Sequence, residues 1–214
     1  MYAREVNGKT LTFGVSGLLW EDGLVMVDSE TGSLWSQILG QAMRGSLEGE
    51  TLELIPATIT EWGAWKSRYP RSTVAVMRPT AGHYARGFLD KDGGLVIGLA
   101  DQKQARQWGF ALLDLNPVVN DRFGDRAVLV SYGKVSLTAV IFDRNLDGRE
   151  LSFEERGSVV IDRETQSEWD RLTGVATQGP LKGKRLSQLP GIVSDSAAWH
   201  TFHPLTTTWR PKDK

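Results

Sequence analysis

The chain contains one segment twice, and this repeat limits the possible folds more than any other feature. Residues 28–73 and 162–207 align without a gap at a constant offset of 134. Trp35 falls on Trp169, Gly40 on Gly174, Ala42 on Ala176, Gly45 on Gly179 and Gly49 on Gly183. Leu52, Pro56, Trp65 and Pro70 fall on Leu186, Pro190, Trp199 and Pro204. About a third of the positions are identical, which marks a duplicated supersecondary unit. Residues matched between the copies specify the shared fold. A site is expected where the copies differ.

The duplication continues upstream at a different offset. Residues 4–13 match residues 144–153, now 140 apart, so the first copy carries six extra residues around Gly17–Gly23. Asn7-Gly8 and Asp147-Gly148 are hairpin signals, because both pairs tolerate positive φ in a type I′ turn. Residues 10–13 and 150–153 then alternate as strands, and residues 24–27 and 158–161 are short apolar runs that suit buried strands. The polar turns at 28–32 and 162–165 lead to a Trp, then Gly-x-Ala-x-x-Gly and Gly-x-x-Leu, which read as two further short strands. Residues 59–69 and 194–203 read as short helices capped by Thr60 and Ser194 and stopped before Pro70 and Pro204. Their Trp65 and Trp199 are expected to pack on the β unit. Between the copies, residues 78–92 read as a loop, 94–99 and 105–110 as strands, 111–115 as a helical turn and 118–142 as three strands.

The fold expected is mainly β with short helices: two tandem homologous β-rich units in a pseudo-two-fold arrangement. The first unit, N-terminally incomplete, spans 1–76. A connecting loop spans 77–94, the second unit 95–209 and a tail 210–214. The strand-rich lead-in at 118–142 has no counterpart ahead of Arg4. A unit without its leading strands exposes sheet edges. This predicts an open groove lined by Leu11, Phe13 and residues 24–27, and self-association through the first unit.

Composition bounds the function classes. At 214 residues, 40% apolar and 24% charged, the chain has globular composition, and eight Trp with 23 Gly suit a β-rich fold with tight turns and aromatic anchors. The net charge is −1 with no basic run, which argues against a nucleic-acid partner. No apolar stretch is long enough for a membrane-spanning helix, and no signal peptide is visible. Cysteine is absent, so this chain has no disulfide, catalytic thiol or thiolate metal site.

Three stretches carry a resemblance. Residues 11–37 (LTFGVSGLLWEDGLVMVDSETGSLWSQ), the Gly-Pro-Leu-x-Gly at 179–183, and VVNDRFGDRAVLVSY with AVIFDR at 118–144 resemble the bacterial and archaeal family called domain of unknown function 3179. Members carry a stretch like TYCPLCGTAIVFDR, the second cysteine sometimes a selenocysteine. Here Tyr132, Asp143 and Arg144 keep the frame, while Gly133 and Ser136 stand at the two chalcogen positions. The motif more usually sits in the first copy, so the resemblance implies that a part bearing it lies upstream of Met1. A full-length relative is then expected to perform thiol- or selenol-dependent redox chemistry, and such a form could be exported. A Cys-x-x-Cys or Cys-x-x-Sec pair can close a small ring and be activated by its surroundings. Ser136 cannot cycle between redox states. For this chain the expectation is a non-catalytic binding or structural module.

Other candidates read as scaffold. His200 and His203 have a metal-like spacing, but a catalytic metal normally needs a third protein ligand and no motif places one, so neither metal nor cofactor is expected. Asp28, Glu30, Asp162 and Glu164 suggest paired carboxylates, yet each pair occupies the same turn of its copy, where Asp caps a turn through backbone amides. Gly14-Val15-Ser16-Gly17 misses the spacing of a nucleophile elbow, and Gly40–Gly49 leads to no Lys-Ser/Thr. No residue is assigned a catalytic role. Asp28, Asp162, Trp35, Trp169, Trp65 and Trp199 are read as the repeat's structural anchors. Trp20, inside the six-residue insertion, has no partner in the second copy.

Overall fold

The computed structural model describes residues 1–21, 23–75 and 94–211. The connecting loop expected at 77–94 therefore lies, apart from Gly94, outside the described residues, as does the tail beyond Pro211. Everything described is β-rich. Each copy builds a four-stranded antiparallel meander in sequence order. The first comprises β3 (Phe13–Trp20), β4 (Gly23–Asp28), β5 (Leu34–Ser36) and β6 (Gln41–Arg44), preceded by the hairpin β1 (Glu5–Val6) and β2 (Lys9–Thr10). The second comprises β14 (Phe153–Arg156), β15 (Val159–Asp162), β16 (Glu168–Trp169) and β17 (Ala176–Gln178), preceded by β12 (Asn145–Leu146) and β13 (Arg149–Glu150). The registers also match: Phe13 faces Asp28 as Phe153 faces Asp162, and Met26 faces Trp35 as Val160 faces Trp169. A register shift falls at Leu34/Trp35 and again at Glu168/Trp169.

Local chemistry explains the matched turns. Asn7-Gly8 and Asp147-Gly148 have φ of 50° and 75°, and 53° and 83°, as a type I′ turn requires. Gly40 and Gly174 also lie in the left-handed region, and a Cβ there would strike Tyr2 and Phe142 respectively. Tyr2 thus fills in the first unit the place that Phe142 fills in the second.

Two more sheets belong to the second unit, one from its lead-in and one that also takes strands from after the meander. One is β11-β10-β9, from β9 (Val118–Phe123), β10 (Arg126–Gly133) and β11 (Thr138–Asp143). The other orders β7 (Leu95–Ala100), β8 (Ala105–Gly109), β18 (Ile192–Asp195) and β19 (Thr207–Thr208) as β18-β7-β8-β19, with β19 parallel to β8. A short helix, α2 (Phe110–Leu115), joins β8 to β9. The β9–β11 layer is buried on both faces. Val128, Val130, Tyr132 and Ile141 face β7 and β8, while Leu129, Val140 and Phe142 pack on Phe153, Trp169 and Leu186 of the meander. The first unit's own core is smaller: Val6, Leu11, Trp35, Ala42 and Leu52.

Both helices depart from expectation at their starts, and the first also in its packing. They are α1 (Trp62–Arg68) and α3 (Ser196–Phe202), with Glu61 and Asp195 at the N-caps instead of Thr60 and Ser194. Pairing of β18 with β7 runs to Asp195, holding Ser194 in the strand, and Asp195 then accepts from the N–H groups of Ala197 and Ala198. Thr60 instead faces Thr138 at 2.7 Å. Trp199 packs within its own unit, over β7, where a Cβ on Gly98 would overlap its ring. Trp65 packs against the core of the second unit. No groove opens at Leu11, which is buried beneath Tyr2, Leu47 and Leu52.

Candidate functional site

The matched carboxylates form locks rather than a reactive pair. Buried Asp28 accepts from Trp35 Nε1 at 2.9 Å and from the N–H and hydroxyl of Thr31 at 2.6 and 2.8 Å. Buried Asp162 repeats this with Trp169 Nε1 at 2.9 Å and with the hydroxyl of Thr165, also at 2.9 Å. Burial pushes the Asp28 carboxyl upward, but the hydrogen bonds from Trp35, Thr31 and Ser33 together outweigh it and hold it below the usual aspartate value. Glu30 and Glu164 brace the same turn from outside, accepting from the N–H groups of Thr12 and Ser152. The seven-residue Asp-to-Trp spacing in both copies was the available signal for this bond.

His200 and His203 do not converge on a common point, and the buried Nε2 of His203 has no hydrogen-bond partner among the described residues. His200 Nδ1 lies 2.8 Å from the carbonyl of Ser196, and the ring of His203 stacks on Trp199 with centroids 4.1 Å apart. Burial lowers the pKa of His203. The described residues contain no group of three metal-ligating side chains. Trp20 reaches from the inserted hairpin to Phe202 of α3, edge to face at 5.1 Å, so the insertion braces the second unit's helix.

Of the positions that carry the resemblance, Tyr132, Gly133 and Ser136 lie at the β10–β11 turn, while Asp143 and Arg144 lie at the far end of β11. Tyr132 and Gly133 end β10, Ser136 and Leu137 form the turn, and Thr138 starts β11. Leu137 has φ of 45°, at the place where the motif carries glycine. A Cβ built on Gly133 would sit 2.9 Å from Ser136 Oγ, so positions 133 and 136 face each other. Asp143 lies farther along β11 and pairs with Arg126 at 3.5 Å. Arg144 is buried, donating to the carbonyls of Leu151 and Val128 at 2.6 and 3.1 Å and pairing with Glu150 at 3.1 Å. It therefore ties β10 to the meander and lies outside the groove.

That groove has a volume of about 530 Å³ and takes walls from both units. The first unit contributes Glu61, Gly63, Ala64 and Arg68 of α1 and its cap; the second contributes residues 133–136, Thr138, Glu155, Arg171 and Leu172. Two guanidinium groups are fixed at its rim. Arg171 donates to the carbonyl of Tyr132 and to Glu155, both at 2.8 Å, and Arg68 pairs with Asp170 at 2.8 Å. Inside, Thr138 Oγ1 lies 2.8 Å from Ser136 Oγ and 2.7 Å from Thr60 Oγ1. The side-chain partner of Ser136 is thus another hydroxyl. A serine nucleophile needs an adjacent base to take its proton. Sequence reasoning marked the turn but missed the α1 wall, because residues 61–68 are far away in the chain.

A search of curated proteins and a search of solved structures each find no match. A family model described as a protein of unknown function, DUF3179, matches residues 1–90 and again residues 75–213, the two matches together spanning nearly the whole chain in the order of its two units. With the repeated Asp–Trp locks and the paired meanders, this shows that the chain belongs to the DUF3179 family.

Proposed function

We propose that this chain is a non-catalytic binding module whose ligand site is the groove between α1 and the β10–β11 turn. The observation that carries this reading is the composite wall. A recess built from both units, with apolar Ala64, Val135 and Leu172 beside a few fixed polar groups, has the character of a small-molecule or peptide site. Its central hydroxyls are hydrogen-bonded to each other, and both arginines are held by carboxylates. These are groups suited to orienting a ligand. A fragment screen by NMR tests the reading. Shifts should concentrate at residues 61–68 and 133–138 and vanish in Gly63→Phe, since a Cβ at Gly63 points into open space. Binding elsewhere, or binding untouched by Gly63→Phe, would overturn it.

A second reading has its own support. The turn still holds positions 133 and 136 face to face, a geometry that suits a vicinal dithiol or thiol–selenol pair. On this reading the scaffold belongs to a thiol- or selenol-dependent oxidoreductase. The reactive pair would be carried by a segment upstream of Met1 that covers the first unit as β10 and β11 cover the second. Redox titration of a chain bearing such a segment would distinguish the two.

A further inference from the structure

The six-residue insertion gives the first meander a wall that the second lacks. β3 and β4 are eight and six residues long, against four each in β14 and β15. Trp20 ends β3 and is 41% exposed. Its place is fixed from two sides. Gly17 turns the strand with φ of 80°, and Ser16 holds the bend, its hydroxyl donating to the Val25 carbonyl at 2.6 Å and accepting from the Leu18 N–H at 3.1 Å. Phe202 of α3 meets the indole edge to face at 5.1 Å, and a Cβ on Gly23 would come within 3.0 Å of the same phenyl ring. Between Trp20 and the strands β5 and β6 lies a recess of about 560 Å³. Trp35 and Ala42 are buried in the core, while their chain neighbours Leu34 and Met43 line the recess and are half-buried. Gln41, Arg44 and Glu48 add polar heads to the lining. The Gln41 carboxamide reaches the Gly49 carbonyl only at 3.4 Å, and Arg44 and Glu48 are exposed.

The second unit shows the same face without the wall. Ala42 and Gly49 keep their counterparts Ala176 and Gly183, as the shared fold requires. The other positions change chemistry. Glu168 and Thr177 stand for Leu34 and Met43, Val175 for Gln41, and Gln178 and Lys182 for Arg44 and Glu48. Thr177, Gln178 and Lys182 are exposed even though β9–β11 pack against that meander. Strands that cover a meander therefore do not reach this face, and the recess of the first unit is not a place that such strands would fill.

We propose that this recess binds a neutral saccharide. An indole offers a flat, electron-rich face to the C–H groups of a sugar ring, and Leu34 and Met43 supply a second apolar contact. Sugar hydroxyls both donate and accept. The lining answers with a donor-only guanidinium, an acceptor-only carboxylate and a carboxamide that does both. Arg44 and Glu48 cancel in charge, so an ionic ligand of either sign meets one like charge. A wholly apolar ligand would strip water from these polar heads and return no hydrogen bond. Apolar walls with a few convergent polar groups are the general form of a small-molecule site. The proposal does not depend on what the groove at α1 binds.

NMR titration of the full chain with cellohexaose, chitohexaose and mannohexaose tests it. At least one of them should shift, saturably, the amides of residues 18–20 and 41–49 and the Trp20 indole. Trp20→Ala should weaken that binding about tenfold, and Arg44→Ala about three- to tenfold. Met43→Thr copies the second unit and leaves the hairpin untouched; it should weaken binding about threefold with the rest of the amide spectrum unchanged. Silence toward all three saccharides would overturn the proposal, as would affinity untouched by both Trp20→Ala and Met43→Thr. Saccharide shifts confined to residues 61–68 and 133–138 would place the sugar in the other groove instead. Tighter binding of the anionic hexagalacturonate would assign the recess to an acidic ligand, and binding of an anilinonaphthalene dye with the saccharides silent would assign it to an apolar one. Shifts at 18–20 that grow with protein concentration alone would make the face a contact between copies. Each of these results would overturn the neutral saccharide.

Discussion

At the scale of single residues, the Asp–Trp lock is where the repeat concentrates its stability. A buried carboxylate that accepts from an indole and a threonine cannot lose its charge or its partner cheaply. We expect Asp28→Asn and Asp162→Asn each to cost about 1.5–3 kcal/mol, and Trp35→Ala or Trp169→Ala about 3–5 kcal/mol, measured by urea unfolding. A loss below about 1 kcal/mol at either Trp would mean that its ring is not a core anchor. His203 gives a pH signature. Burial lowers its folded pKa below the ordinary value of 6.5, so its contribution to stability is complete above 6.5 and is lost as pH falls through the lowered value. His203→Tyr, which copies Tyr69 of the other unit, should flatten stability against pH in that window. An unchanged slope would locate the titration elsewhere.

At the scale of elements, the β10–β11 turn brings positions 133 and 136 together. Gly133 and Ser136 face each other, and Leu137 holds a left-handed backbone that glycine would adopt without strain. The Gly133→Cys/Ser136→Cys double variant should close a disulfide under mild oxidation, read as the loss of two alkylatable thiols by mass spectrometry. A disulfide wants its Cβ atoms about 3.5–4.5 Å apart, which a Cβ at 133 lying 2.9 Å from Ser136 Oγ permits. Persistently free thiols would show that the turn has relaxed from that geometry. The helices carry the opposite lesson. Their Trp and Pro positions marked the two helices, but both caps fell one residue later than expected; for α3 the reason is that pairing with β7 decides where β18 ends.

At the scale of the whole molecule, the two units are joined through α1. Trp65 packs on the second unit's core, Arg68 pairs with Asp170, and Gln188 donates to the carbonyl of Ala57. The Arg68 pair is partly exposed, so Arg68→Ala should cost no more than about 1 kcal/mol. Trp65→Ala should cost more than that but less than the ~3–5 kcal/mol of a fully enclosed Trp. It should also raise proteolysis at residues 57–61 while leaving the Asp162–Trp169 lock intact. Unchanged proteolysis would mean that the units are held together by other contacts.

The sequence by itself determined the β class, the tandem units, the hairpin turns and the family, because these rest on local chemistry and on matched residues read at a constant offset. It also marked the turn at 133–138, between two apolar runs that read as strands. Only the tertiary structure decided what that turn faces. The groove's second wall comes from residues 61–68, some seventy positions away, and periodicity within one segment carries no information about which distant segment will pack on it. The same reason hid the contrast between Arg4 and Arg144. The two copies read alike at that position, and their difference in burial comes from β9 and β10, which lie against one unit and not the other.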